Sequence, residues 1–201
     1  MRIVLVDYGA GNLTSVRKAF EAAGARLSTA VAPEELGDAD GVVVPGVGNF
    51  AATAGLGADW HGAVLQAIDR GVPLFGICLG LQWLFGGSDE APAVSGLALI
   101  PGTCARLPTG VKVPHVGWNA LHVLRPSRLL DGIPSRTQVY FTHSYAAPVT
   151  TECVATTEHG ALFAAAVERG NVMGVQFHPE KSGDAGLRIV RNFVASCSRS
   201  G

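Results

Sequence analysis

The sequence predicts a three-layer α/β/α fold whose central sheet is mostly parallel and becomes mixed in the second half. Three observations predict it. In the first half, short continuous apolar runs alternate with helix-period segments, the rhythm of a parallel sheet covered on both faces. Between about Asn119 and Gln176 the pattern changes to several short β-rich runs joined by turns. The 201-residue chain is 48% hydrophobic and only 15% charged, which excludes intrinsic disorder. A chain of this length buries roughly 70% of its unfolded surface, so a core forms without disulfide or metal.

Arg2–Val6 is a buried strand candidate. Asn12 is a candidate N-cap, followed by Leu13, Val16 and Phe20 at helical spacing, with Gly24 as the stop. Gly41–Val44 is a second compact strand ending at Pro45, and Ala63–Arg70 reads as a helix closed by Gly71. Pro73–Ile77 is a third strand running into a helix over Leu79–Phe85. The later strand candidates are Ala120–Leu124, Gln138–Phe141, Cys153–Thr157, Leu162–Val167 and Val172–Gln176. A final helix places Leu187, Val190, Val194 and Cys197 on one face, with Asp184 near its start to suit the dipole.

No repeat, low-complexity tract or linker divides the chain, so one domain is expected over 1–201. Lys and Arg number 15 against 16 Asp and Glu, without a charge run; nucleic acid and acidic membrane surfaces need clustered positive charge. No apolar stretch approaches the roughly 18 residues of a membrane span. The N-terminal run reaches Asp7 too soon for a signal peptide. The four cysteines form no C-x-x-C pair, so zinc and thioredoxin-type centres lack support. They are expected to be reduced, and the chain cytoplasmic.

Gly76-Ile77-Cys78-Leu79-Gly80 follows an apolar strand and opens a helix. It is the thiol form of a nucleophile elbow. A tight strand-to-helix turn pushes the central side chain out at the carboxyl edge of the sheet, and neighbouring backbone leaves room only for glycine two residues to either side. The helix N-terminus favours a thiolate, and the Leu79 N–H points to where an oxyanion develops. The competing reading is a small buried hydrophobe, which many free cysteines are. Cys104, Cys153 and Cys197 lack such a setting and read as structural.

A nucleophilic thiol needs a base held by a third group. Of six histidines, only His178 has an acid at useful spacing, in Gln176-Phe177-His178-Pro179-Glu180. Pro179 disfavours helix before it, so the segment is expected to be extended, with His178 and Glu180 on one side. The competing reading is an ordinary surface turn. Pro45-Gly-Val-Gly48 ends another strand; Val47 and Gly48 are read as the second side of an oxyanion hole. The rival reading is a dinucleotide fingerprint, since Gly46-Val-Gly-Asn-Phe-Ala51 fits G-x-G-x-x-A with Asp69 at the right distance, although Asp69 falls in a helical pattern.

Together these motifs resemble the class I glutamine amidotransferases with a Cys-His-Glu triad. Within them the chain is similar to the glutaminase subunits of imidazole glycerol phosphate synthases. The resemblance runs nearly end to end. It rests on Asp7-Tyr-Gly-Ala-Gly-Asn-Leu13, Pro45–Gly48, Gly76–Gln82, Pro114-His-Val-Gly-Trp-Asn119, Tyr140-Phe-Thr-His-Ser-Tyr145 and Gly174–Ser182. Departures are Ala10, where the family often has Met or Pro, and Leu81, where Met is usual.

The resemblance implies a flavodoxin-like fold and hydrolysis of L-glutamine through a thioester on Cys78, with His178 as acid and base and Glu180 orienting it. It implies Val47, Gly48 and Leu79 at the oxyanion, and substrate contacts from Gly48, Gln82, His143, Ser144 and Tyr145. His143 also reads as a member of a buried polar network. No metal or organic cofactor is implied. Ammonia passes to a TIM-barrel cyclase subunit of imidazole glycerol phosphate synthase, in a heterodimer whose interface would include Asn12, Trp118, Tyr140 and Lys181. For Trp118 the alternative is core packing. In the family, glutaminase activity is weak until the partner binds its own ligand. The alternatives are the glutaminase component of anthranilate or aminodeoxychorismate synthase, a non-enzymatic module on the same fold, or an independent thiol hydrolase.

Overall fold

The computed structural model describes residues 1–198. In chain order its elements are β1 (Ile3–Val6), α1 (Leu13–Ala22), β2 (Leu27–Ala30), β3 (Gly41–Val44), α2 (Ala58–Asp69), β4 (Leu74–Ile77) and α3 (Leu79–Trp83). There follow β5 (Ala105–Arg106), β6 (His115–Ala120), β7 (His122–Val123), β8 (Gln138–His143), β9 (Tyr145–Ala146), β10 (Cys153–Glu158), β11 (Leu162–Arg169), β12 (Val172–Val175) and α4 (Gly183–Cys197). The main sheet has eight strands in the order β2-β1-β3-β4-β12-β11-β10-β7. From β2 to β12 neighbours are parallel; from β12 to β7 they are antiparallel. The expected parallel sheet that turns mixed is therefore present.

Why the parallel strands read as unbroken apolar runs is plain from their two faces. Ile3 and Leu5 of β1, with Val43 and Phe75, pack against Val16 and Phe20 of α1 and Phe193 of α4. Val4, Val6, Val42 and Val44 face the other way, onto Trp60 and Val64 of α2 and Leu81 and Trp83 of α3. Phe193 stacks on Phe75 at 5.0 Å and meets Phe20 edge-on at 6.1 Å. Burying each such side chain contributes about 1.5–3 kcal/mol.

Several expectations are corrected. β2 lies at the sheet edge with Ser28 and Thr29 half-buried, so no apolar run announces it. α2 begins at Ala58 rather than Ala63, with Asp59 in its first turn. The run expected over Ala120–Leu124 divides at the fully buried Leu121: β6 pairs with β8 outside the main sheet, and β7 pairs with β10. The inward face of α4 is Gly186, Ile189, Val190, Phe193 and Cys197, with Leu187 and Val194 at its margins. The Asn12 cap is as expected: its side chain accepts from the Ser15 N–H at 3.2 Å. No helix of the described residues is long and apolar enough to cross a membrane.

Candidate active site

Cys78 sits between β4 and α3 with φ +53° and ψ −101°. A non-glycine residue in such a conformation costs on the order of 1–3 kcal/mol and persists where surrounding contacts impose it. Those contacts are visible. The Cys78 N–H donates to Val175 O at 2.8 Å, and its carbonyl accepts from the Gln82 N–H at 3.2 Å. A Cβ on Gly76 would come within 2.6 Å of the Gly80 carbonyl oxygen, and one on Gly80 would overlap the Val44 carbonyl oxygen. The two flanking glycines thus let the turn press against β3, as the elbow requires. α3 has only five residues and ends at Trp83, short of the expected Phe85. Its positive end is therefore chiefly the first free N–H groups.

His178 is brought beside this elbow by β12, the neighbour of β4. Its N–H donates to Tyr140 O at 2.9 Å, and Ser182 Oγ donates to its carbonyl at 2.7 Å. Only His178 itself is extended; Pro179–Lys181 form a 3₁₀ turn. The reach from His178 to Glu180 is therefore made across a turn and not along a strand. Nδ1 of His178 lies 2.8 Å from Glu180 Oε1, with both side chains almost wholly buried. Nε2, equally buried, makes no hydrogen bond among the described residues. Burial pulls the imidazole pKa down, but interaction with the Cys78 thiol and with Glu180 outweighs it, and the value is pushed up to about 10. The site thus stabilises an imidazolium between a sulfur and a carboxylate.

A cavity of about 310 Å³ opens over Cys78. Gly48, Leu79, Gln82, His143, Ser144 and Tyr145 line it, so the candidate substrate residues converge. Val47 does not line it and is more than a third exposed. The Leu79 N–H, the candidate oxyanion donor, donates to Gly46 O at a long 3.4 Å and so is engaged within the protein. Tyr8 OH donates to Pro45 O at 2.8 Å and pins the same segment. Glu90, Pro114 and Thr142 also line the cavity. Pro114 and Thr142 stand in segments that carry the family resemblance, but nothing local gives them a pocket role, and Glu90 stands in no motif; it is tied in by accepting from the Phe50 N–H at 2.7 Å. Asp69 ends α2 at the opposite, amino edge of the sheet, which removes the acid from the dinucleotide reading.

His143 belongs to a buried network, with Nε2 3.0 Å from His115 Nδ1. Burial depresses its pKa to about 3 and that of His115 to about 4. Trp118 is 56% exposed and so is no core residue. It meets Tyr140 edge-on at 6.1 Å, and Lys181 Nζ lies 5.7 Å from the Tyr140 ring centroid. Asn12 is exposed at the same carboxyl edge of the sheet. All four cysteines are unpaired and buried. Burial pushes the Cys104 thiol up, Cys153 up to about 11 and Cys197 up to about 12.

The model of the class-I glutamine amidotransferase family matches residues 4–197. The chain belongs to that family. A Moorella thermoacetica protein named imidazole glycerol phosphate synthase subunit HisH is 50% identical over 195 residues, covering 95% of this chain and 93% of its own length. The protein of the same name from Halobacterium salinarum is 49% identical over 205 residues, covering 98% and 94%. Among solved structures, PurLQS from Thermotoga maritima superposes with a TM-score of 0.78 at 20% identity, covering 96% of this chain and 97% of that one. That likeness shows the amidotransferase fold alone.

Proposed function

We propose that this chain is the glutaminase subunit of an imidazole glycerol phosphate synthase, hydrolysing L-glutamine and passing ammonia to a TIM-barrel cyclase subunit. The observation that carries the reading is the buried pair of His178 and Glu180 at 2.8 Å, set beside Cys78 on a strained elbow under a cavity. The two relatives, both HisH subunits at 50% and 49% identity, favour this synthase over the anthranilate and aminodeoxychorismate systems. The whole chain acts as one amidotransferase domain, in the cytoplasm.

The Cys78 thiolate attacks the side-chain amide carbon of glutamine, forming a tetrahedral oxyanion. The Leu79 N–H turns from Gly46 O to that oxyanion, joined by an N–H of the Val47–Gly48 segment. Imidazolium His178 protonates the departing nitrogen, and ammonia leaves a glutamyl thioester. Neutral His178 then takes a proton from water; hydroxide attacks the thioester carbon, and glutamate and the thiolate are released. Glu180 holds the ring through Nδ1 and stabilises its charge. Gly48, Gln82, His143, Ser144 and Tyr145 shape the glutamine pocket. Glu90, the acid at its wall, offers a partner for the substrate ammonium.

Asn12, Trp118, Tyr140 and Lys181 form the docking face for the cyclase. Activation by the liganded partner needs only to favour the backbone arrangement in which the Leu79 N–H is released. The test is reconstitution with the cyclase, wild type beside Cys78→Ala. Glutamine-driven turnover should vanish in the variant, and ammonium-driven turnover should persist. Retained glutamine-driven turnover would reject the reading.

A further inference from the structure

The Cys78 sulfur has two polar neighbours besides the imidazole: the Thr142 carbonyl oxygen at 4.0 Å, to which the thiol can donate, and a side-chain amide that can donate to the sulfur. Gln176 Nε2 lies 3.7 Å from Sγ, within reach of a sulfur hydrogen bond. Gln176 is wholly buried at the end of β12, and its own N–H is fixed on Ala165 O at 2.9 Å.

The orientation of its amide is forced from behind. Gln82 lies 2.9 Å from the Tyr145 carbonyl. A carbonyl only accepts, so the Gln82 atom there is the nitrogen, Nε2. The same nitrogen lies 3.1 Å from Gln176, which must therefore present its oxygen. That leaves the Gln176 nitrogen, and only the nitrogen, facing the sulfur. The Tyr145 carbonyl is itself held by a second donor, His143 Nδ1 at 2.9 Å. His143 Nε2 then accepts from His115 Nδ1 at 3.0 Å, and His115 Nε2 accepts from Asn119 Nδ2 at 3.2 Å. One set of tautomers satisfies the entire chain of bonds, and burial keeps both rings neutral to hold it.

We infer that Gln176 is a further catalytic residue, donating a hydrogen bond that aims the Cys78 sulfur and favours its anion, with Gln82 as the positioning residue that orients it. This rests on Cys78 being the nucleophile. A donor gains more from an anionic acceptor than from a neutral one, so the bond favours the attacking form. It also limits the sulfur to the side of the elbow where the imidazole stands.

The test uses the complex reconstituted with the cyclase. Alkylation of Cys78 by iodoacetamide is followed against pH by peptide mass spectrometry, in wild type, Gln176→Met, Gln176→Glu and Gln82→Met. In Gln176→Met the profile should move up by about one pH unit, and kcat for glutamine should fall about tenfold with KM little changed. Gln176→Glu should move it further, because a carboxylate then faces the sulfur. Gln82→Met should move it the same way but less. A Gln176→Met profile superposing on wild type would overturn the inference. Should the variants not fold, the wild type still decides: the Gln176 side-chain amide NMR signal should follow Cys78 ionisation and cease to do so in Cys78→Ala, and a signal that never moves is equally fatal. Glutamine-driven turnover by Cys78→Ala would instead defeat the glutaminase reading itself.

Discussion

The paired histidines behind the pocket make stability depend on pH in a calculable way. His115 and His143 are held neutral, with pKa values of about 4 and about 3. Unfolded, each returns to about 6.5. Below that value the unfolded chain binds protons that the folded chain refuses, so stability falls as pH drops from about 6.5 toward the folded values. At pH 5.5 the loss is about 1.4 kcal/mol per ring, an upper limit because solvent screens part of the effect. His178 acts in the opposite sense: its raised value of about 10 gives stability that is complete below pH 6.5 and lost as pH climbs toward 10. The perturbation that isolates the pair is His115→Phe. Phenylalanine retains the stacking of His115 on Phe141 at 4.9 Å and on His159 at 4.1 Å but cannot titrate. Urea unfolding of both proteins at pH 7.5 and 5.5 gives the comparison, and His178 cancels from it. Wild type should lose about 1 kcal/mol more on acidification than the variant. Equal losses would refute the argument that burial keeps these rings neutral.

Other perturbations read other parts of the site. Glu180→Gln should lower glutamine-dependent kcat/KM by about 10²–10⁴ in the complex, since it removes the charge beside His178; steady-state kinetics checks this. Gly80→Ala places a Cβ on the Val44 carbonyl oxygen, and should destabilise by about 3 kcal/mol or prevent folding, read by chemical denaturation. Trp118→Ala, at a side chain 56% exposed, should change the subunit's own stability by less than about 0.5 kcal/mol. The same change should weaken cyclase binding by about 2 kcal/mol, roughly thirtyfold, in titration calorimetry.

The parallel half of the fold is legible because each central strand is buried on both faces and α1 and α2 are stopped by Gly24 and Gly71: Val42, Val43 and Val44 announce β3 without help from context. β2 and β6 are not legible, for they carry half-exposed polar residues or an outward face such as Val116 and Trp118. The elbow and the His178–Glu180 spacing were readable because steric and hydrogen-bond demands fix residue types at short range. The extended geometry expected of that segment holds at His178 but not beyond it, since proline also opens a 3₁₀ turn. Glu90 carries no local signal, since it reaches the cavity on a long loop, and Gln176, although it stands two residues before His178 in the motif, has a role defined only by what Gln82 presents to it.

The most direct test of the central claim is to trap the acyl intermediate. The complex, turning over glutamine, is quenched in acid and digested, and the peptides are weighed. A glutamyl adduct confined to the peptide bearing Cys78, and lost in Cys78→Ala, is the predicted result. Turnover with no adduct on Cys78, or an adduct on Cys104, Cys153 or Cys197, would contradict it.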